Sequence, residues 1–111
     1  HAQLLERLIE EATVRARTAR ESDRAEALEH LRQLGQRAQP LLARLDEPER
    51  LRVSSHAAYV ASVVYGTSAG LAQLDGRHDP YSIRRRLAIL CDAERYGDAG
   101  ATFWAARRHA G

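Results

Sequence analysis

An all-α fold is the class this sequence predicts, and three observations predict it. Its apolar residues recur at steps of three and four, the spacing that lines up one face of a helix. No stretch of strand length alternates polar with apolar residues. Apolar residues make up 44% of the 111 residues but aromatics only 5%, and much of the difference is alanine. Alanine has the best helix propensity and little to pack against a sheet. The expected architecture is a compact antiparallel bundle of four main helices plus a short C-terminal helix, forming one domain over residues 1–111.

The organising element is the stretch 53–74, which contains no Asp, Glu, Lys or Arg and lies between densely charged flanks. A helix that is apolar or small on every side has to be enclosed by protein. A central buried helix is therefore expected from about 47 to 75, with its stripe at Val53, Ala57, Val60, Val64, Thr67, Leu71 and Leu74. Around that stripe Ser54, Ala58, Ala61, Ser62, Gly66 and Gly70 are short enough to let neighbouring helices approach closely. The stretch is long enough to cross a bilayer. However, it holds four Ser and only six Val or Leu, and no aromatic belt flanks it, so it reads as a core helix.

The remaining elements follow in order. Leu5, Leu8, Ile9, Ala12, Ala16 and Ala19 form a helical stripe over residues 2–21. Asp23 with Glu26 resembles a capping box, so a second helix is expected near Asp23, with continuity through 20–24 as the alternative. Its stripe is Ala27, Leu28, Leu31, Leu34 and Ala38, and Pro40 should stop or kink it. Leu41, Leu42 and Leu45 then cover the end of the core. Asp46 with Glu49 repeats the capping pattern, Pro48 fits a first turn, and Asp75-Gly76 ends the central helix. Asp79-Pro80 is a cap followed by a first-turn proline, opening a helix whose stripe reads Ile83, Leu87, Leu90 and Cys91. Gly97-Asp98 is a second stop-and-start signal, before a last helix with Ala99, Phe103, Trp104 and Ala106.

All 17 basic residues are Arg, and the formal charge of +2 is too small to imply a nucleic-acid partner by itself. The single cysteine, Cys91, requires no oxidising compartment, and the first apolar run belongs to an amphipathic helix rather than a leader. The cytoplasm is the expected location.

Chemistry is best sought at the start of the central helix. Glu49, Arg52, His56 and Tyr59 are spaced three, four and three, so they share one helical face. His56 between Arg52 and Tyr59 is a candidate buried proton-transfer group, its pKa lowered by Arg52 and partly restored by Glu49. The plainer reading is a surface ion pair beside a satisfied histidine. Arg50-x5-His56 also resembles the Arg-x4–6-His motif of the all-helical HEPN ribonucleases, with Leu51 where that family usually carries a polar residue. The resemblance covers seven residues and implies RNA cleavage with Arg50 and His56 in the site. Residues six apart point to different sides of a helix, so this also needs a break near residue 52 or a partner subunit.

A second candidate is the basic set Arg77, Arg84, Arg85, Arg86, Arg107 and Arg108. From Arg77 onward there are seven Arg against four acids, whereas residues 1–52 balance ten against ten. Three consecutive Arg sweep most of a helical turn, so they cannot form one flat patch; pairing with Asp92, Glu94 or the acidic first helix is the expected alternative. His56, His78, Asp79, Cys91 and His109 have no metal-ligand spacing, and there is no glycine-rich phosphate loop. Neither metal nor cofactor is expected.

Finally, Tyr59 and Tyr65 beside Ser62, Gly66 and Gly70 leave room either for an apolar ligand or for a second copy of the chain. With Phe103 and Trp104 near the end, self-association is the preferred expectation. The function expected is a non-enzymatic protein–protein interaction or regulatory module. The alternatives are a nucleic-acid-associated protein using the Arg-rich third, and a HEPN-like ribonuclease or small-ligand site at the His56 face.

Overall fold

The computed structural model describes residues 2–110, and side chains from 3 to 108. Every regular element in it is helical: α1 Ala2–Thr18, α2 Glu21–Leu42, α3 Glu49–Tyr65, α4 Thr67–Gln73, α5 Pro80–Asp92 and α6 Tyr96–Ala110. The all-α expectation therefore stands, with six helices where four and a short one were expected. The short helix is α4, and the C-terminal α6 runs for 15 residues. No helix among the described residues is long and apolar enough to cross a membrane.

Two boundaries are settled by backbone geometry. The chain breaks between α1 and α2, with Arg20 extended as the N-cap and no side-chain cap bond. Asp23 thus lies within the first turn, where its charge and that of Glu21 complement the helix dipole, rather than at the cap. The expected rod from 47 to 75 also breaks, at Gly66, with φ 112° and ψ 163°. That region of backbone space is essentially reserved for glycine. It lets α4 fold back on α3. Gly76, at φ 73°, follows the end of α4 as expected.

Other expectations at helix ends divide. Asp79 caps α5 as read, its carboxylate accepting from the Ser82 amide at 3.0 Å. The Asp46–Glu49 capping box is not formed: Pro48 sits at the N-cap rather than inside the first turn, no side chain caps α3, and Asp46 offers only its carbonyl, which accepts from the Arg50 amide. Pro40 does not stop α2, which continues to Leu42. The bond that Pro40 cannot donate would have gone to Gln36, an exposed residue whose carbonyl water can serve. The Gly97-Asp98 stop is displaced: Glu94, at φ 58°, makes the turn, and α6 already includes both residues.

The molecule measures 43 × 34 × 18 Å. At helix separations of about 8–10 Å, that thinnest dimension holds only two layers. No helix can then be enclosed on all sides, which corrects the buried-rod expectation. α3 is nonetheless the hub, packing on α1, α2, α4 and α5. Val60 joins one core with Ile9, Ala12, Ala16, Leu31 and Leu34, while Ala58 and Tyr59 join a second with Leu74 and Ile89. The small flank of α3 does what its size suggests, with Gly70 of α4 lying directly against Ala58 and Ser62. Tyr65, by contrast, is exposed, and Val53, Ala57 and Val64 are only partly covered.

The stripe on α5 is rotated from the one read in sequence. Ser82, Ile89 and Leu90 are buried, Ile83 and Leu87 are intermediate, and Cys91 is exposed. The cause is that α5 packs on α3 and α4 on one side and α6 on another, so no single stripe describes it. Leu8, expected in the α1 core stripe, is also largely exposed, because Ile9, Ala12, Thr13 and Ala16 supply the buried face.

Gly35 offers a simple stability test. It lies inside α2, and an added Cβ would meet only Val60 Cγ1, at 4.0 Å. Gly35→Ala is expected to raise stability by about 0.5–1 kcal/mol through helix propensity and lower unfolded-state entropy. Urea denaturation showing a loss instead would mean this part of α2 is packed more tightly than described.

Candidate functional site

The face read from the sequence is present, but its members part company. Glu49 is exposed and accepts from Arg52 at 3.2 Å, and Arg52 also reaches across to Glu6 of α1. His56 is 5% exposed and Tyr59 is 7% exposed. Arg85 of α5 places its Nη2 3.3 Å from His56 Nδ1 and its guanidinium 5.6 Å from the centre of the Tyr59 ring. The Tyr59 hydroxyl donates to Asp92 Oδ2 at 2.5 Å, and Asp92 pairs with Arg17 of α1 at 3.4 Å. The network thus links α1, α3 and α5 across the hub helix.

Its electrostatics follow from burial. His56 titrates down at about 4, lowered first by burial, then by Arg85 and then by Arg52. The sequence anticipated the direction and Arg52, but neither Arg85 nor the dominance of burial. Glu10 approaches Nδ1 only to 4.0 Å from an exposed position, where water screens it. Burial, reinforced by the bond to Asp92, pushes the Tyr59 hydroxyl up to about 12, so it serves as a proton donor to the carboxylate.

Glu6, Glu10 and His56 bring donor atoms within 4.8 Å of one another, a grouping no His or Cys spacing announced. The legible signal was Glu6-x3-Glu10, two acids one turn apart on α1. Two guanidiniums already hold these groups, Arg52 on Glu6 and Arg85 on His56, so the cluster reads as an ion network rather than a cation cage. His78 is exposed, Asp79 is taken up by the α5 cap, and the side chain of His109 lies outside the described residues. Arg50 donates to the Leu45 carbonyl at 3.0 and 2.8 Å, and α3 is unbroken from residue 50 to 56. The HEPN-like pair is therefore not assembled within one chain.

Beside His56 a cleft of about 140 Å³ opens between α1, α2 and α3. Leu5, Ile9, Val53, Ala57, Val60 and Val64 form its walls, and the exposed Gln36, Gln39, Tyr65 and Gln73 stand at its rim. The first half of the expected stripe, Val53, Ala57, Val60 and Val64, thus lines an open concavity, while Leu74 at its far end is fully buried.

The basic candidates scatter. Arg77 donates to Ser54 Oγ at 2.9 Å and to the Leu51 carbonyl at 3.4 Å, and Arg86 caps the Leu74 and Arg77 carbonyls. Arg85 faces His56. Arg84 and Arg108 are exposed, and Arg107 lies over the rings of Phe103 and Trp104. Half of the set is thus committed to holding helices together. For Arg85 and Arg86 the expected pairing with acids is replaced by bonds to a histidine and to carbonyls.

α6 packs on α5 alone among the described helices. Ala99 is its buried anchor, while Tyr96, Phe103 and Trp104 are 64%, 44% and 59% exposed. Phe103 and Trp104 contact edge to face at 5.6 Å. Compared with protein-family models, curated proteins and solved structures, the chain matches none.

Proposed function

We propose that this chain is a non-enzymatic helical interaction module that pairs with a second copy of itself through α6. One observation carries the reading: a 15-residue helix held on one side only presents Tyr96, Phe103, Trp104 and Arg107 to solvent. Tyr96, Gly100, Phe103 and Arg107 recur at steps of four, three and four, so they share a face. Large aromatics exposed together mark association surfaces, and Trp, Tyr and Arg are the residues that carry most interface energy. A twofold pair of α6 helices buries both aromatic clusters and keeps the Arg107 charges at the edges, over the partner's rings.

The chain has a single tryptophan, so its fluorescence reports on this face directly. Sedimentation equilibrium should give a dimer, and dilution should shift Trp104 emission to the red as the ring returns to water. Phe103→Ala is expected to weaken the dimer about 30-fold or more, as loss of roughly 2 kcal/mol at an interface anchor requires, with helicity unchanged. A monomer at millimolar concentration, or a dimer indifferent to Phe103→Ala, refutes the reading.

A further inference from the structure

The cleft between α1, α2 and α3 is separate from α6 and calls for its own account. Its volume, about 140 Å³, is close to that of an apolar cavity known to take up benzene, roughly 150 Å³. Its walls are mainly aliphatic, with Gln36, Gln39, Tyr65 and Gln73 at the rim and Glu6 and Arg32 as the charged residues of the lining. Glu6 pairs with Arg52 and Arg32 with Glu29, so the lining offers no unpaired charge to an ion.

Of the polar side chains that line the cleft, His56 alone is buried. Arg85 can only donate, so Nδ1 accepts and the ring proton sits on Nε2. Nε2 has no protein partner, and no side-chain nitrogen among the described residues is both sealed and unpartnered. Nε2 is therefore not sealed, and His56 is among the residues that line the cleft. An N–H on a histidine almost wholly withdrawn from water, in the wall of a mainly aliphatic cleft, is a fixed donor.

We propose that this cleft binds a compact uncharged molecule, a single ring or short branched chain with one oxygen acceptor, the oxygen turned to His56 Nε2. The aliphatic walls hold the body of the ligand, and the open rim admits a substituent.

Acetophenone has this form, and ethylbenzene has nearly the same shape without the oxygen. Titrations of the full chain followed by amide NMR should show saturable one-to-one binding of acetophenone, with shifts confined to residues around Ala57, Val60 and Val64. Ethylbenzene should bind about fivefold more weakly, the worth of one neutral hydrogen bond. In His56→Phe that preference should vanish. Ala57→Leu, which fills the cleft, should weaken acetophenone at least tenfold with helicity retained, and Gly35→Leu provides the same test from α2 should the first variant fold poorly. No saturable shift at millimolar acetophenone, equal affinity in both filled variants, or tighter binding of benzoate than of acetophenone would each overturn the proposal. None of these outcomes depends on the α6 dimer, which is read by sedimentation.

Discussion

As the pH falls from 6.5 toward 4, the protein is expected to lose about 3 kcal/mol of stability through His56 alone. The sign follows from proton uptake. In the unfolded chain the imidazole titrates at its ordinary 6.5, whereas in the fold it stays neutral down to about 4. Between those values the unfolded state binds more protons, so stability is complete above about 6.5 and drains away as the pH drops. The groups facing the ring explain the asymmetry. Burial disfavours the cation first, Arg85 at 3.3 Å and Arg52 repel it, and the exposed Glu10 at 4.0 Å offsets little. The lowered pKa of Asp79 acts below its ordinary 3.8, outside this window. Urea denaturation across pH 4.5–7.5 should therefore show a slope approaching about 1.4 kcal/mol per pH unit, flattened in His56→Gln. Parallel curves for the two proteins would mean that His56 titrates alike in the folded and unfolded chain.

Gly70→Val is expected to cost about 3 kcal/mol or more, although glycine inside a helix is ordinarily the weaker choice. A Cβ at residue 70 would lie 2.6 Å from Ser62 Cβ and 2.8 Å from the Ala58 carbonyl oxygen. Neither atom belongs to a flexible side-chain tip, and Ile89 Cδ1 closes the third direction at 3.1 Å. The only relief is to push α4 away from α3, which opens the core around Leu74, a side chain with no exposed surface. Against a total stability of roughly 5–15 kcal/mol, the variant should melt well below the parent. Gly35→Ala, whose added methyl meets only Val60, supplies the opposite sign in the same assay. A Gly70→Val protein as stable as the parent would show that α4 does not pack on α3 as described.

Asp79-Pro80 was readable from the sequence because a cap and a first-turn proline act within four residues of one another. The stripe Ala27, Leu31, Leu34 and Ala38 was readable because α2 is long and buries one face. The break at Gly66 was not, since a glycine between small residues is as compatible with a helix interior as with a turn. Cys91 was misplaced and the Ser82–Arg85–Ile89–Asp92 face missed because α5 meets neighbours on two sides. At the site, Glu49, Arg52, His56 and Tyr59 share a helical period within α3, whereas Arg85, Asp92, Arg17 and Glu6, which decide where each of them turns, come from other helices.

The amino-acid sequence alone determined that this protein is helical, that residues 53–74 lie at its centre, and that His56 and Tyr59 share one side of that segment. These are consequences of propensity and of a period of 3.6 residues, which act over a few turns of chain. Only the tertiary structure decided that the central segment folds back at Gly66, that its valines line a cleft, and that α6 keeps its aromatics in water. Those outcomes depend on which helices meet and at what distance. A slab two helices thick must leave one side of every helix facing either a neighbour or solvent, and no local pattern states which.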